Sequence, residues 1–254
     1  MGSSFANMTV AAEKAGFIAP AQLKSPVNGV SLFWCSLAAR ADTIAYVTDW
    51  LSTNERARLQ RFGNETLRNR YVMGRASLRW LLGRALGVSP VTVALERGAN
   101  GRPQIIGRTG VDFNVSHTAD VALIGIVREA RIGVDVEREG RVIHSTGLTR
   151  RILTDRERAA LPSDDDDATR RRILRLWTCK EALAKATGDA MAAPFRRLDI
   201  TSEPMLALAD GPPPYHARDF RLFAAAVADG YLGTVALWRP RNAAEEFDRA
   251  PTRG

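Results

Sequence analysis

Residues 114–137, NVSHTADVALIGIVREARIGVDVE, constrain the fold of this 254-residue chain more than any other stretch. Two β-rich runs, 121–127 and 131–137, follow a shorter one at 112–115, and only residues 128–130 separate the longer pair. That short connection predicts a hairpin between 121–127 and 131–137. The last run closes on Asp135 and Glu137, and the two-residue repeat of a strand points both carboxylates to one face. Ser116 and His117 stand at the far end of the stretch. An acidic pair with basic groups nearby suits a site that holds a metal ion and a phosphate.

Helical signals flank this β segment. Ser52-Thr53-Asn54-Glu55 reads as a capping box and predicts a short helix that stops near Gly63. Residues 65–86 then carry Leu67, Tyr71, Gly74, Leu78, Leu81, Leu82 and Ala85 at helical spacing, with Gly87 as the stop. Arg68, Arg75 and Arg79 fall on one flank of that face and are expected to be solvated, with Arg70 on the other. Asn100-Gly101 and Pro103 mark a tight turn that holds Arg102. Over 168–187 a helical wheel puts Ile173, Leu176, Trp177, Leu183 and Ala184 on one arc. Lys180 lies inside that arc, where an ammonium is costly unless it is paired or reaches water. Glu181 lies beyond its edge, one turn before Lys185. Strands are expected again at 197–201, 206–209, 221–227 and 231–238.

The order of helices, hairpin, helices and hairpin predicts an α+β fold, a pseudo-dimer of two similar halves, each a small antiparallel sheet packed with helices. The halves are placed at 29–128 and 129–240, with a loosely ordered leader over 1–28 and a polar tail over 241–254. Net charge of +8 and a pI near 10.2 mean a surface that attracts polyanions. No apolar run approaches the ~20 residues of a membrane span, and the first residues lack the basic and apolar regions of a secretory signal. A cytoplasmic protein with no membrane partner is expected. Cys35 and Cys179 are too few for a disulfide framework and lack metal-ligand spacing. The run 164–167 of four aspartates reads as a solvated loop ahead of a helix.

Three motifs in order carry a resemblance: Phe113-Asn114-Val115-Ser116-His117, Ile132-Gly133-Val134-Asp135-Val136-Glu137, and Trp177-Thr178-Cys179-Lys180-Glu181-Ala182-Leu183-Ala184-Lys185. Together they resemble the signature of Sfp-type 4′-phosphopantetheinyl transferases, in the holo-acyl-carrier-protein synthase superfamily. The resemblance extends more weakly to Gly101-Arg102-Pro103, to the helix around Arg70 and to Gly230-Tyr231, and so covers about residues 50–238. It implies an enzyme that moves the phosphopantetheine arm of coenzyme A to a serine hydroxyl of an acidic apo acyl or peptidyl carrier protein and releases adenosine 3′,5′-bisphosphate. It implies Mg²⁺, with Mn²⁺ as an alternative, held by Asp135, Glu137 and Glu181; such oxygen ligands suit a hard cation. Glu137 stands where the family pattern varies. Glu181 would take the serine proton, directly or through a polarised water. Lys185 would neutralise charge on the transferring phosphate. Coenzyme A would meet Arg58, Arg70, Arg102, Ser116, His117, Lys180 and Lys185, and Arg102 replaces the usual lysine. A monomer is expected, with the carrier docking in the cleft between the halves, the loop after Glu137 forming one wall. Nucleic acid is not an expected partner.

Two other readings stay open at this level. The same carboxylates would serve another Mg²⁺-dependent phosphotransferase or hydrolase, which acts on nucleotides without a carrier protein. A basic nucleic-acid-binding module would show an affinity that falls steeply with salt.

Overall fold

The computed structural model describes residues 5–98, 100–107, 109–141, 146–161, 167–202 and 205–240. The chain runs α1 (Phe5–Lys14), β1 (Ala21–Leu23), β2 (Val30–Ser36), α2 (Ala41–Thr48), α3 (Thr53–Leu59), α4 (Glu65–Leu86), β3 (Leu95–Arg97), β4 (Pro103–Ile105), β5 (Val111–Thr118), β6 (Val121–Arg128) and β7 (Arg131–Arg138). It continues with α5 (Thr146–Ile152), α6 (Asp155–Ala159), α7 (Asp167–Thr187), β8 (Asp199–Thr201), β9 (Ala207–Asp210), β10 (Phe220–Ala225) and β11 (Tyr231–Trp238).

The architecture is α+β, as expected, with antiparallel pairing throughout the described strands. One sheet has the order β1-β2-β6-β5 and another the order β10-β11-β7. Strand alternation sorts their side chains into layers. Phe33, Cys35, Ala122, Ile124, Ile126 and Phe113 face α4 and its neighbours. Leu32, Leu123, Val127, Ile132, Val134, Val235 and Leu237 fill the space between the two sheets. Ala236 and Trp238 of β11 join α7 in a third cluster. The order is therefore helix, sheet, sheet, helix, and the two halves each contribute one sheet with one long helix on its outer face.

The hairpin expected between 121–127 and 131–137 does not form. β6 is already paired on both edges, with β2 and β5, so it has no free edge for β7. The chain instead crosses from one sheet to the other at Glu129 and Ala130, and β7 pairs with β11. The open edge of β7 meets β5 through side chains. Asp112 Oδ2, Asn114 Oδ1 and Ser116 Oγ accept from the amides of Ile132, Val134 and Val136 at 2.8, 3.0 and 3.2 Å. These contacts satisfy backbone donors that would otherwise be orphaned.

The segment expected to be a loose leader carries α1 and β1. Phe17 is 3% exposed and packs edge-on against Trp50 and Trp80 with ring centroids 5.0 and 5.5 Å away. Burial of so large a ring supplies the order that local sequence did not signal. Arg79 is not solvated either. It is 1% exposed and donates to Glu55 Oε2 at 2.7 Å and to the carbonyls of Pro90 and Val93. Residues 164–166 of the aspartate run and the tail from 241 lie outside the described residues.

Candidate active site

The site forms where β7 lies directly on α7. Residues 131, 133, 135 and 137 face the helix, and a Cβ at Gly133 would overlap the carbonyl oxygen of Ala182 and the amide nitrogen of Ala186. Glycine thus lets strand and helix backbones touch. The helix face in contact is made of small residues, with Thr178 Oγ1 2.9 Å from Thr234 Oγ1 of β11. This close approach brings Asp135 beside Lys185.

Lys185 Nζ donates to Asp135 Oδ1 at 2.7 Å, to Ser116 Oγ at 3.1 Å and to the Val134 carbonyl at 3.2 Å. Ser116 Oγ donates to the same Asp135 oxygen at 2.8 Å. Asp135 is 4% exposed, and its other oxygen, Oδ2, is buried with no partner. Glu181 Oε1 is also buried without a partner. Burial pushes the Glu181 carboxyl above its usual range; the Lys185 charge opposes this, and the negative charge of Asp135 adds to it. Two unpartnered buried carboxylate oxygens, on residues close enough for the Asp135 charge to raise the Glu181 carboxyl, fit a cation, because a buried carboxylate oxygen without a donor is costly.

Glu137 shares the Asp135 face as expected but is engaged differently. Arg141 closes on its Oε1, and Thr118 Oγ1 donates to Oε2 at 3.3 Å. Among the described residues, no group of three or more His, Cys, Asp or Glu is arranged to hold a metal ion. A cleft of about 590 Å³ opens alongside, lined by Thr118, Arg138, Gly140, Arg141, Gly230 and Tyr231. It lies by the loop after Glu137, where a docking wall was expected.

Two residues expected to touch coenzyme A turn inward instead. Lys180 is 0% exposed, and its ammonium is bonded to Glu157 Oε2 at 2.6 Å and to the carbonyls of Ile152 and Phe195 at 2.7 and 2.8 Å. All three N–H donors are consumed, so Lys180 ties α6 and the turn before β8 to α7. Arg102 grips Asp112 with both ends of its fork, at 2.7 and 2.8 Å. It also donates to the carbonyls of Phe113, Ile132 and Lys185. Lys180 has no N–H left for a ligand, and most of the Arg102 fork is engaged by the protein. Arg70 pairs with Asp120 at 2.7 Å with both side chains partly exposed, and Arg58 stacks over Tyr71 at 5.8 Å. His117 lies on the exposed rim of the site. Its pKa is lowered by the cost of desolvating the ring, then by the charge of Lys185 and more weakly that of Arg70.

Thr118 and Arg141 were not singled out from sequence. Thr118 had a signal: it follows Ser116 by two on a strand and so shares its face. Arg141 had none beyond its position four residues after Glu137. Cys179 is inert, its thiol pushed up to about 12 by burial.

The family described as the 4′-phosphopantetheinyl transferase superfamily matches residues 131–228, the stretch that holds Asp135, Glu137, Glu181 and Lys185. The N-terminal part of 4′-phosphopantetheinyl transferases matches 38–127, which holds Arg58, Arg70, Arg102, Ser116 and His117. The chain belongs to the 4′-phosphopantetheinyl transferase superfamily. It is 37% identical over 145 residues to the 4′-phosphopantetheinyl transferase HetI of Nostoc sp., a match covering 56% of this chain and 61% of that protein. It is 33% identical over 144 residues to slr0495 of Synechocystis sp., covering 56% and 58%. Against the 4′-phosphopantetheinyl transferase of Bacillus subtilis the identity is 23% over 176 residues, covering 67% and 76%. The chain thus spans about six tenths of the length of the first two relatives.

Proposed function

We propose that this chain transfers the 4′-phosphopantetheine arm of coenzyme A to a serine hydroxyl of an acidic apo carrier protein. The observation that carries the reading is the bonded set of Asp135, Ser116 and Lys185, with Glu181 within reach of the charges of Lys185 and Asp135 and with unpartnered buried oxygens on both carboxylates, inside a chain that matches this superfamily. Asp135 and Glu181 would hold a divalent cation, Mg²⁺ before Mn²⁺ because the donors are hard oxygens. Held by these carboxylates, such an ion would supply neutralisation of the diphosphate charge. Glu137, engaged by Arg141 and Thr118, would be a further ligand.

Glu181 accepts the proton of the incoming serine hydroxyl. Burial strengthens it as a base, since it holds the carboxyl above the ordinary range. The serine oxygen forms a bond to the β-phosphorus as the bond to adenosine 3′,5′-bisphosphate breaks, and the electron pair leaves with that product. Lys185 faces the developing negative charge. His117, with Arg70 and Arg58 on its side of the molecule, contacts coenzyme A at the rim, and Arg138 and Arg141 line the approach of the carrier. A net charge of +8 speeds encounter with an acidic partner. One chain supplies both Asp135 and Glu181, which supports a monomeric enzyme.

The test is incubation with coenzyme A, Mg²⁺ and a panel of apo carrier proteins, followed by intact-mass measurement. At least one carrier is expected to gain a single phosphopantetheine, and Asp135→Ala and Glu181→Ala are expected to abolish the gain while folding normally. A folded wild-type protein that modifies none of the panel would sink the reading.

A further inference from the structure

We propose that Ser116 is a positioning residue for Asp135 and Lys185, not a contact to coenzyme A phosphate; the proposal rests on the reading above. A serine hydroxyl has one hydrogen and two lone pairs. Ser116 gives its hydrogen to Asp135 Oδ1 at 2.8 Å and accepts from Lys185 Nζ at 3.1 Å and from the Val136 amide at 3.2 Å. Nothing is left for a phosphate, and at 6% exposure the residue has little surface to offer one.

The strand geometry supports the same assignment. Ser116 and His117 are neighbours on β5 and point to opposite faces, so they do not grip one phosphate together. His117 faces the rim and Ser116 faces β7. Ser116 belongs to the series Asp112, Asn114 and Ser116, each of which takes an amide hydrogen from β7. It differs from the other two in reaching a functional carboxylate at the same time. Because Ser116 is fastened to the backbone at Val136, next to Asp135, it fixes the Asp135 side chain against its own strand. The consequence is specific: Oδ1 is engaged twice, by Ser116 and Lys185, and Oδ2 is the single free oxygen. Without the hydroxyl, Lys185 alone holds Oδ1 and the carboxylate regains rotation about its last bond.

The test compares Ser116→Ala and Ser116→Thr with wild type. In Ser116→Ala, the affinity of coenzyme A-free protein for Mn²⁺, read by electron paramagnetic resonance, is expected to fall about 10–100-fold, the usual loss when an outer-shell partner is removed. The kcat for transfer falls alongside it, while KM for coenzyme A stays within about twofold. Ser116→Thr keeps the hydroxyl and restores both; should its added methyl disturb folding, Ser116→Ala decides alone. Amide hydrogen exchange at Val136 should quicken in Ser116→Ala, which checks the geometry without any assumption about catalysis. A tenfold rise in KM for coenzyme A with unchanged Mn²⁺ affinity would make Ser116 a phosphate contact and overturn the proposal. Unchanged Mn²⁺ affinity, kcat and KM would overturn it as well. Failure of the proposed reaction shows differently: the wild type itself would neither transfer nor bind Mn²⁺.

Discussion

Neighbouring ionisable groups in this protein are driven to different ends by what surrounds them. Lys180 and Lys185 sit five residues apart on α7, yet only Lys180 is fully buried, where desolvation lowers its pKa and the charge of Glu157 partly opposes that shift. That ammonium is part of the frame. His117, on the rim of β5, has its pKa lowered by desolvation and then by the charge of Lys185, so its ring is neutral at pH 7. The sign of the pH effect follows. The unfolded chain takes up the proton near 6.5 and the folded one resists to lower pH, so the stability held by the neutral ring is full above 6.5 and is lost as pH falls through the folded value. An NMR titration of the His117 ring proton should give a midpoint below 6.5, and Lys185→Met should move it up. A midpoint at or above 6.5, or one indifferent to Lys185, would mean that the rim is not shaped as described.

Among the elements, the contact between β7 and α7 is the one that assembles the site. Gly133 has no side chain to hold the backbones apart, and a Cβ there would overlap Ala182 and Ala186. Gly133→Ala should therefore cost about 1–3 kcal/mol, as overpacking of a filled contact does, and separate Asp135 from Lys185. Chemical denaturation should show a lower midpoint, and the folded fraction should transfer poorly; an unchanged midpoint would show that the helix yields freely. How far such elements could be read in advance depends on how local their causes are. The capping box of Ser52 and Glu55 and the left-handed Gly87 that ends α4 were legible because each is set within a few residues. The carboxylates of β7 and α7 were legible because strand and helix periods fix their faces. The pairing of β7 was not, since it depends on β2 having already taken the other edge of β6. Arg79 was misjudged for the same reason: its partner Glu55 lies on another helix, and only the fold makes a solvated flank into a buried pair. Phe17 was missed because its partners, Trp50 and Trp80, are distant in sequence.

At the scale of the molecule the question is what keeps two sheets and two outer helices in one register. The apolar layer between the sheets supplies adhesion but little direction, because hydrophobic contact is not directional. Direction comes from polar contacts that cross the layer, and Arg102 makes two of them. From the turn before β4 it reaches Asp112 and Phe113 on one sheet, the Ile132 carbonyl on the other, and the Lys185 carbonyl near the end of α7. Its planar fork meets these acceptors in fixed directions, which the compact ammonium of lysine does not reproduce. This separates two roles sharply. A residue that grips a phosphate by charge would tolerate lysine, whereas one that registers the halves would not. Arg102→Lys is expected to lower stability by roughly 1–3 kcal/mol and to lower kcat, with KM for coenzyme A within about twofold of wild type. Asp112→Asn should reproduce the pattern from the other side of the pair, because it removes the charge that the fork engages twice. Urea denaturation together with steady-state kinetics on both variants checks the prediction. A selective rise in KM for coenzyme A at unchanged stability would return Arg102 to the phosphate, and the registration of the two halves would then have to rest on the β5 side-chain series alone.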